Sequence, residues 1–190
     1  MSAFSALSGW YPRLKAAVFA LLACNAAIFV FAGTLSEALD AAAWLTLFVL
    51  FELETGYGGR FLRGRAQAII RIVRLAAAAV VIAAAIGYIV EGDTLDMLNS
   101  GLWIAVVLLL ELEVRYPDFI AGQRSAFTAT ATALYCGLGA LILVWAWQGA
   151  WFDAYDALLW LIAFMVIEIN ILRWPDAENA TPAGDLKRNA

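Results

Sequence analysis

Long apolar runs alternate with short polar segments along most of this chain. About 20 consecutive apolar residues cross a bilayer as a helix, because the hydrocarbon core is about 30 Å thick and each residue rises about 1.5 Å. Six segments are of this kind, some with a shorter apolar core: Lys15–Gly33, Asp40–Thr55, Arg71–Val90, Asn99–Arg115, Phe127–Trp147 and Asp156–Leu172. The pattern predicts an all-α integral membrane protein with six transmembrane helices.

One pattern of polar and aromatic positions recurs three times in a single register. It runs aromatic, Gly, acid, Asp or Asn, Trp, Glu, and Glu or Asn. The copies are Phe29, Gly33, Glu37, Asp40, Trp44, Glu52, Glu54; then Tyr88, Gly92, Asp96, Asn99, Trp103, Glu111, Glu113; then Trp145, Gly149, Asp153, Asp156, Trp160, Glu168, Asn170. A fixed period of about 58 residues indicates one structural unit used repeatedly.

Each repeat is predicted to be one helical hairpin, with approximate bounds 13–58, 71–117 and 125–175. Two crossings return the chain to the same side, so all three hairpins share one orientation. We therefore expect a single six-helix transmembrane domain over residues 1–175, with pseudo-threefold symmetry about the membrane normal. Residues 176–190 contain Pro, Gly, Asn and charges, and are predicted to form a short disordered cytoplasmic tail.

The composition agrees with a lipid environment and excludes several kinds of chemistry. The chain of 190 residues is 64% hydrophobic and 15% charged, more apolar surface than a soluble domain of this size buries. The chain contains no histidine, which excludes haem ligation by His and catalysis by an imidazole. The sequence also contains no phosphate-binding loop and no nucleophile with a base beside it. We expect no enzyme activity, no cofactor and no nucleic-acid partner. Cys24 and Cys136 are interpreted as small packed hydrophobes.

Basic residues are confined to one side of the predicted bundle. All twelve Lys and Arg lie in the terminal segments, in the connections between hairpins, or at adjoining helix ends. The hairpin turns hold only acids. Because basic loops stay in the cytoplasm, we predict a multi-pass protein of a bacterial-type inner (plasma) membrane with both termini cytoplasmic.

The turn residues and repeated aromatics have structural interpretations. The glycines suit tightly turned helix ends, and the acids that follow suit the first turns of the next helices. We expect Trp44, Trp103 and Trp160 to form an aromatic belt at the outer headgroup boundary, and Tyr57, Tyr116 and Trp174 to mark the opposite boundary.

Three repeated glutamates carry the main functional hypothesis. Glu52, Glu111 and Glu168 lie roughly 12 Å beyond the repeat Trp, inside the cytoplasmic leaflet. A carboxylate there is costly unless it faces the bundle interior, water or a base, so the three are candidates for an ion or proton site. Glu54 and Glu113 come two residues after Glu52 and Glu111. They therefore lie about 200° further around the helix, on a different face from those glutamates.

Ion pairing is the alternative interpretation of these glutamates. Lys15 and Arg74 are at equivalent positions of their repeats, Arg71 lies one turn before Arg74, and Arg115 follows Glu111 at helical pairing distance. These bases could link helices through the glutamates, including Glu54 and Glu113, without transport. The third repeat has Ala131 where the others have a base, so Glu168 is the glutamate predicted to be protonated or to coordinate an ion.

Two functions therefore remain open. The chain is either a small cation or proton channel or carrier, or a non-catalytic scaffold or accessory subunit of a membrane complex. Membrane lipids are the expected partners, with other membrane subunits or further copies of the chain as additional ones. Asn25 and the ladder of Thr128, Thr130 and Thr132 are predicted to form hydrogen bonds between helices.

Overall fold

The chain folds into long helices that coincide with the predicted apolar runs. The computed structural model describes the backbone of residues 3–56 and 64–178, and the side chains of residues 13–54 and 64–165. Those residues form seven α-helices: α1 Ala3–Ala32, α2 Leu35–Gly56, α3 Arg65–Glu91, α4 Thr94–Arg115, α5 Pro117–Gly122, α6 Arg124–Gln148 and α7 Trp151–Glu178. The all-helical fold class is confirmed. The helix α7 continues three residues into the predicted tail, and residues 179–190 lie outside the described part.

Four of these helices are long and apolar enough to cross a membrane: α1 over Arg13–Ala32, α3, α4 and α6. Only 11–22% of the residues in the most apolar stretch of each are buried inside the protein. Most of their apolar surface therefore faces outward, as in a helical membrane protein. The helix α2 is not among these four and carries four carboxylates along its length, and too few side chains of α7 are described to test its span. The prediction of six spans stays a prediction.

The long helices pack in a closed ring. Contacts run from α1 to α2, α2 to α3, α3 to α4, α4 to α6, α6 to α7, and from α7 back to α1. A buried apolar cluster joins Trp44 of α2, Val81 of α3, Trp103 of α4, Leu138 of α6 and Leu161 of α7. Side chains from five helices meet there, so the interior of the ring is filled by apolar and aromatic groups at this level.

The second and third hairpin turns depend on glycine in the left-handed conformation. Gly92 ends α3 at φ 78° and Gly149 ends α6 at φ 81°. In each turn the amide of the residue after the glycine donates a hydrogen bond to the backbone carbonyl of the repeat aromatic. The Asp93 amide donates to Tyr88, and the Ala150 amide donates to Trp145. This is the bond pattern of a helix that ends on glycine. Gly33 also suits its turn, but for a different reason: a β-carbon at this position would collide with the carbonyl oxygen of Phe29.

Acidic residues after the first two turns cap the following helices. The side chain of Asp93 accepts a hydrogen bond from the Asp96 amide at the start of α4. In the first hairpin the Glu37 carboxylate accepts from the Thr34 amide, and the Glu37 amide donates to the Thr34 hydroxyl. This reciprocal pair satisfies two free amide groups at the N-terminus of α2. The predicted capping by these acids is confirmed in both hairpins.

Two local interpretations were wrong, and one short helix was not predicted. Cys24 and Cys136 are exposed on the helix surfaces instead of packed. Thr130 and Thr132 are also exposed, and their hydroxyls donate to carbonyls four residues earlier in α6, which satisfies them without a neighbouring helix. The short helix α5 was missed, although Pro117 at its first position and Asp118 in its first turn are ordinary helix-start signals.

Candidate functional site

The repeat places its acids and its tryptophan on one face of a helix. Within α2, Glu37, Asp40 and Trp44 are three and four residues apart, the spacing of side chains stacked along one face. The same spacing recurs in α4 with Asp96, Asn99 and Trp103, and in α7 with Asp153, Asp156 and Trp160. Each of these helices begins at a hairpin turn. The pattern therefore sets carboxylates nearest the turn and tryptophans one turn deeper.

These faces meet around one cavity at the acidic end of the ring. It has a volume of about 50 Å³. The helices α2, α4 and α7 contribute Glu37, Asp40, Ala41, Trp44, Asp96, Asn99, Trp103, Asp156, Trp160 and Phe164, and Phe29 of α1 and Tyr88 of α3 complete the lining. All three members of the repeated Asp/Asn position and all three repeated tryptophans therefore line the same space.

The repeated tryptophans form the floor of this cavity. The ring centroid of Trp44 lies 6.4 Å from that of Trp103 and 6.5 Å from that of Trp160. Trp103 also packs on Phe164 with centroids 4.5 Å apart. Only 9% of Trp44 and 5% of Trp103 is exposed. The belt predicted for these residues is therefore wrong, because their indoles point into the bundle and contact each other.

Other aromatic residues are exposed at the helix ends. Phe31, Trp147 and Trp151 next to the acidic turns are 88%, 92% and 70% exposed. These are side chains that can reach the headgroups. At the basic end Tyr116 is exposed, as predicted, whereas Tyr57 and the side chain of Trp174 lie outside the described residues.

Hydrogen bonds explain why Trp follows the repeat carboxylate by four residues. The indole of Trp44 donates to the Asp40 carboxylate, and the indole of Trp160 donates to Asp156. Asp156 also accepts a bond of 2.8 Å from the side-chain amide of Asn25 in α1. Asn25, which is 4% exposed, therefore makes the bond between helices that was predicted for it.

Two oxygen atoms in the cavity lining have no hydrogen-bond partner within the part of the chain that the structure describes. They are Asp40 Oδ1 and Asn99 Oδ1, and both are buried. They occupy equivalent positions of the first and second repeats, next to Trp44 and Trp103 one turn deeper. A buried acceptor left unsatisfied costs about 1–3 kcal/mol, so such atoms are uncommon unless a ligand or water completes them.

Acidic neighbours surround the mouth of the cavity. Burial, together with the charges of Glu37 and Asp93, raises the pKa of Asp153 above its usual value of 3.8. Three hairpin turns therefore bring carboxylates close enough to disfavour each other's ionised form. Glu91 also lies at this end, where it accepts a hydrogen bond of 2.7 Å from the hydroxyl of the buried Ser36. The cavity opens into a region of negative potential.

The glutamates singled out from the sequence lie at the opposite end and contact bases. Glu52 forms an ion pair with Lys15 of α1, Glu54 with Arg74 of α3, and Glu111 with Arg115 of its own helix. The side chain of Glu52 is 17% exposed and that of Glu111 is 52% exposed.

The remaining predicted residues contribute less to the described structure. Arg71 and Glu113 are both exposed, and within the described residues neither forms an ion pair. The backbone of Glu168 and Asn170 belongs to α7, but their side chains lie outside the described part. The candidate role of Glu168 therefore stays a prediction.

The sequence pattern alone predicts helix caps for the acids of this lining and an interfacial belt for its tryptophans. The cavity could have been inferred from the spacing within each repeat, which is an acid, an Asp or Asn three residues later, and a Trp four residues after that. Such spacing puts all three on one helical face, and a threefold repetition suggests that the faces meet. No protein family model, curated protein or solved structure matches this chain.

Proposed function

We propose that this membrane protein binds a monovalent cation in the acidic cavity and carries it across a bacterial-type inner membrane. The observation that supports this most directly is the pair of buried, unpaired oxygens, Asp40 Oδ1 and Asn99 Oδ1, beside Asp156. A bound cation would satisfy both oxygens and offset the charge of the two carboxylates. Among the described residues that line the cavity there is no Lys or Arg to do so instead.

The proposal includes a specific membrane arrangement. The helices α1, α2, α3, α4, α6 and α7 serve as six spans, related as three hairpins about a pseudo-threefold axis. Bases at one end and acids at the other put both termini in the cytoplasm and the cavity mouth on the outer face. There the acidic rim would raise the local cation concentration at the mouth.

A carrier fits this interior better than an open pore. Below the cavity, Trp44, Trp103 and Trp160 pack against each other and against Phe48 and Phe164. A cation cannot pass that floor unless the indoles move apart. On this proposal the tryptophan layer is the gate, and the glutamates Glu52, Glu111 and Glu168 receive the ion on the cytoplasmic side.

The test is cation uptake into vesicles reconstituted with the full-length protein. Asp40→Asn should reduce uptake at least about tenfold, because it removes a charge from the site while conserving shape. Asn already occupies the equivalent position 99, so the substitution should preserve the fold. Glu113→Gln is the matched control, since Glu113 is exposed at the other end and is not one of the three glutamates proposed to receive the ion, and it should change uptake by less than about twofold.

A scaffold or accessory subunit is the second candidate. Its supporting observations are the filled interior and the ion pairs at Glu52, Glu54 and Glu111, which fix neighbouring helices without any path between them. Vesicles that show no uptake of sodium, potassium or ammonium above the protein-free background would favour this function. Co-purification with other membrane subunits would then be its direct measurement.

A further inference from the structure

We propose that the cation held in the acidic cavity is a small ammonium ion, either ammonium itself or a short protonated alkylamine. This inference rests on the proposed function and specifies its ligand. It follows from what the cavity combines: carboxylates at the mouth, unpaired oxygens in the wall and aromatic rings around the floor.

Cavity size limits the hydration of the ion. About 10–15 Å³ of such volume holds one water, so 50 Å³ holds only a few. A cation with its full shell of water does not fit. It must exchange water for oxygens of the wall, and the described carboxylates do not converge closely enough to form a three-ligand metal site. The cavity therefore does not suit hard divalent metal ions, because these ions require several oxygen ligands.

Aromatic faces favour an ammonium ion over an alkali-metal ion. Trp44, Trp103 and Trp160 form the floor, and Phe29, Tyr88 and Phe164 add three further rings. The negative faces of aromatic rings attract cations, with Trp the strongest, and binding sites for alkylammonium ligands use such rings. An alkyl group on the nitrogen would contact the rings, while its N–H groups would donate to the wall.

The unpaired oxygens fit the directional donors of such a ligand. An ammonium group carries several N–H donors, and Asp40 Oδ1 and Asn99 Oδ1 are free acceptors. Asp156 supplies a second carboxylate, already positioned by the Asn25 amide and the Trp160 indole. A protonated amine therefore meets acceptors on one side and indoles on the other.

Isothermal titration calorimetry on the purified full chain in detergent tests this assignment. The probes are methylammonium chloride, ammonium chloride, sodium chloride and potassium chloride, at matched ionic strength. Methylammonium should bind at one site, at least about tenfold more tightly than sodium, a difference that one desolvated cation–π contact can supply. Asp40→Asn should weaken the binding of every cation.

Aromatic variants separate the ammonium assignment from general cation binding. Trp44→Phe keeps a ring at the floor but offers a weaker cation partner, and should reduce methylammonium affinity more than sodium affinity. Trp147→Phe is the matched control, because Trp147 lies at the same end but is 92% exposed and outside the cavity lining. It should change neither affinity.

The outcomes distinguish the two proposals. Tighter binding of sodium or potassium than of methylammonium, abolished by Asp40→Asn, would overturn the ammonium assignment and leave the cation site standing. Absence of binding by any of the four cations, in protein whose thermal unfolding remains cooperative, would overturn both.

Discussion

The two ends of this helical ring use carboxylates in opposite ways. At the basic end, Glu52, Glu54 and Glu111 are each matched by a Lys or Arg. At the acidic end, Asp40 and Asp156 line a cavity whose described lining residues include no base, and two oxygens of its wall accept no hydrogen bond from any described residue. A carboxylate in a membrane protein is therefore not informative by itself. What distinguishes the two sets is whether the fold supplies a counter-charge.

This contrast changes where function should be sought. The glutamates attracted attention in the sequence because they interrupt apolar helices, whereas the aspartates lie near helix starts and look like caps. In the folded chain Glu52 and Glu111 contact bases, whereas Asp40, at a position typical of a cap, has one buried oxygen without a partner among the described residues. An unsatisfied atom in a cavity is a stronger indication of a ligand than depth in the membrane.

The largest predicted effect concerns the tryptophan floor. Trp103→Ala should destabilise the protein by about 3 kcal/mol or more, because it removes a large buried side chain and leaves a void between Trp44 and Phe164. Trp147→Ala, an exposed tryptophan at the same end, should cost less than about 0.5 kcal/mol. Chemical or thermal unfolding in detergent measures both. Equal losses would mean that Trp103 is not the interior residue described.

A smaller effect is expected at the basic end. Lys15→Met should cost about 1–2 kcal/mol, because it leaves the Glu52 carboxylate, only 17% exposed, without its ammonium partner. Removing both charges in Lys15→Met with Glu52→Gln should recover part of that loss. Glu111→Gln, whose ion pair is largely exposed, should cost less than about 0.5 kcal/mol. The unfolding free energies of the four proteins form a double-mutant cycle, and an additive result would show that Lys15 and Glu52 do not couple.

The smallest effect is a pH dependence at the cavity mouth. The folded state raises the pKa of Asp153 through burial and through Glu37 and Asp93. Ionisation therefore favours unfolding, so this penalty is complete above the raised pKa and is relieved as the pH falls towards 3.8. Asp153→Asn should stabilise the protein at neutral pH, with a gain that shrinks as the pH falls. A gain that is independent of pH would contradict the charge-based explanation.

Much of the fold follows from periodicity in the sequence. The apolar runs predicted all six long helices, because a long run of apolar residues is a strong signal in the sequence. Gly92 and Gly149 predicted the turns, since few other residues adopt a positive φ. The direction in which Trp44 and Trp103 point was not predictable from their own helices. An interfacial Trp and an interior Trp follow the same local pattern, and the difference depends on which faces of α2, α4 and α7 meet.

The candidate site was only partly predictable for the same reason. Asn25 stands alone in the first helix, so an interhelical hydrogen bond could be inferred, but its partner Asp156 lies 131 residues away. Lys15 and Arg74 could be identified as bases for the glutamates, but not their individual partners: the two bases hold equivalent repeat positions, yet Lys15 contacts Glu52 and Arg74 contacts Glu54. The unpaired state of Asp40 Oδ1 and Asn99 Oδ1 depends on every neighbouring side chain and has no signature in the sequence.

The acidic end of the ring, and not the ion-paired basic end, is proposed to hold a cation. Crystals of the full-length protein grown with thallium(I), a heavy monovalent ion, would test it through anomalous scattering. One peak is predicted at contact distance from Asp40 Oδ1 and Asn99 Oδ1, above the three indoles, and Asp40→Asn should abolish it. A peak beside Glu52 or Glu168 instead, or no peak within the helical ring, would contradict the account.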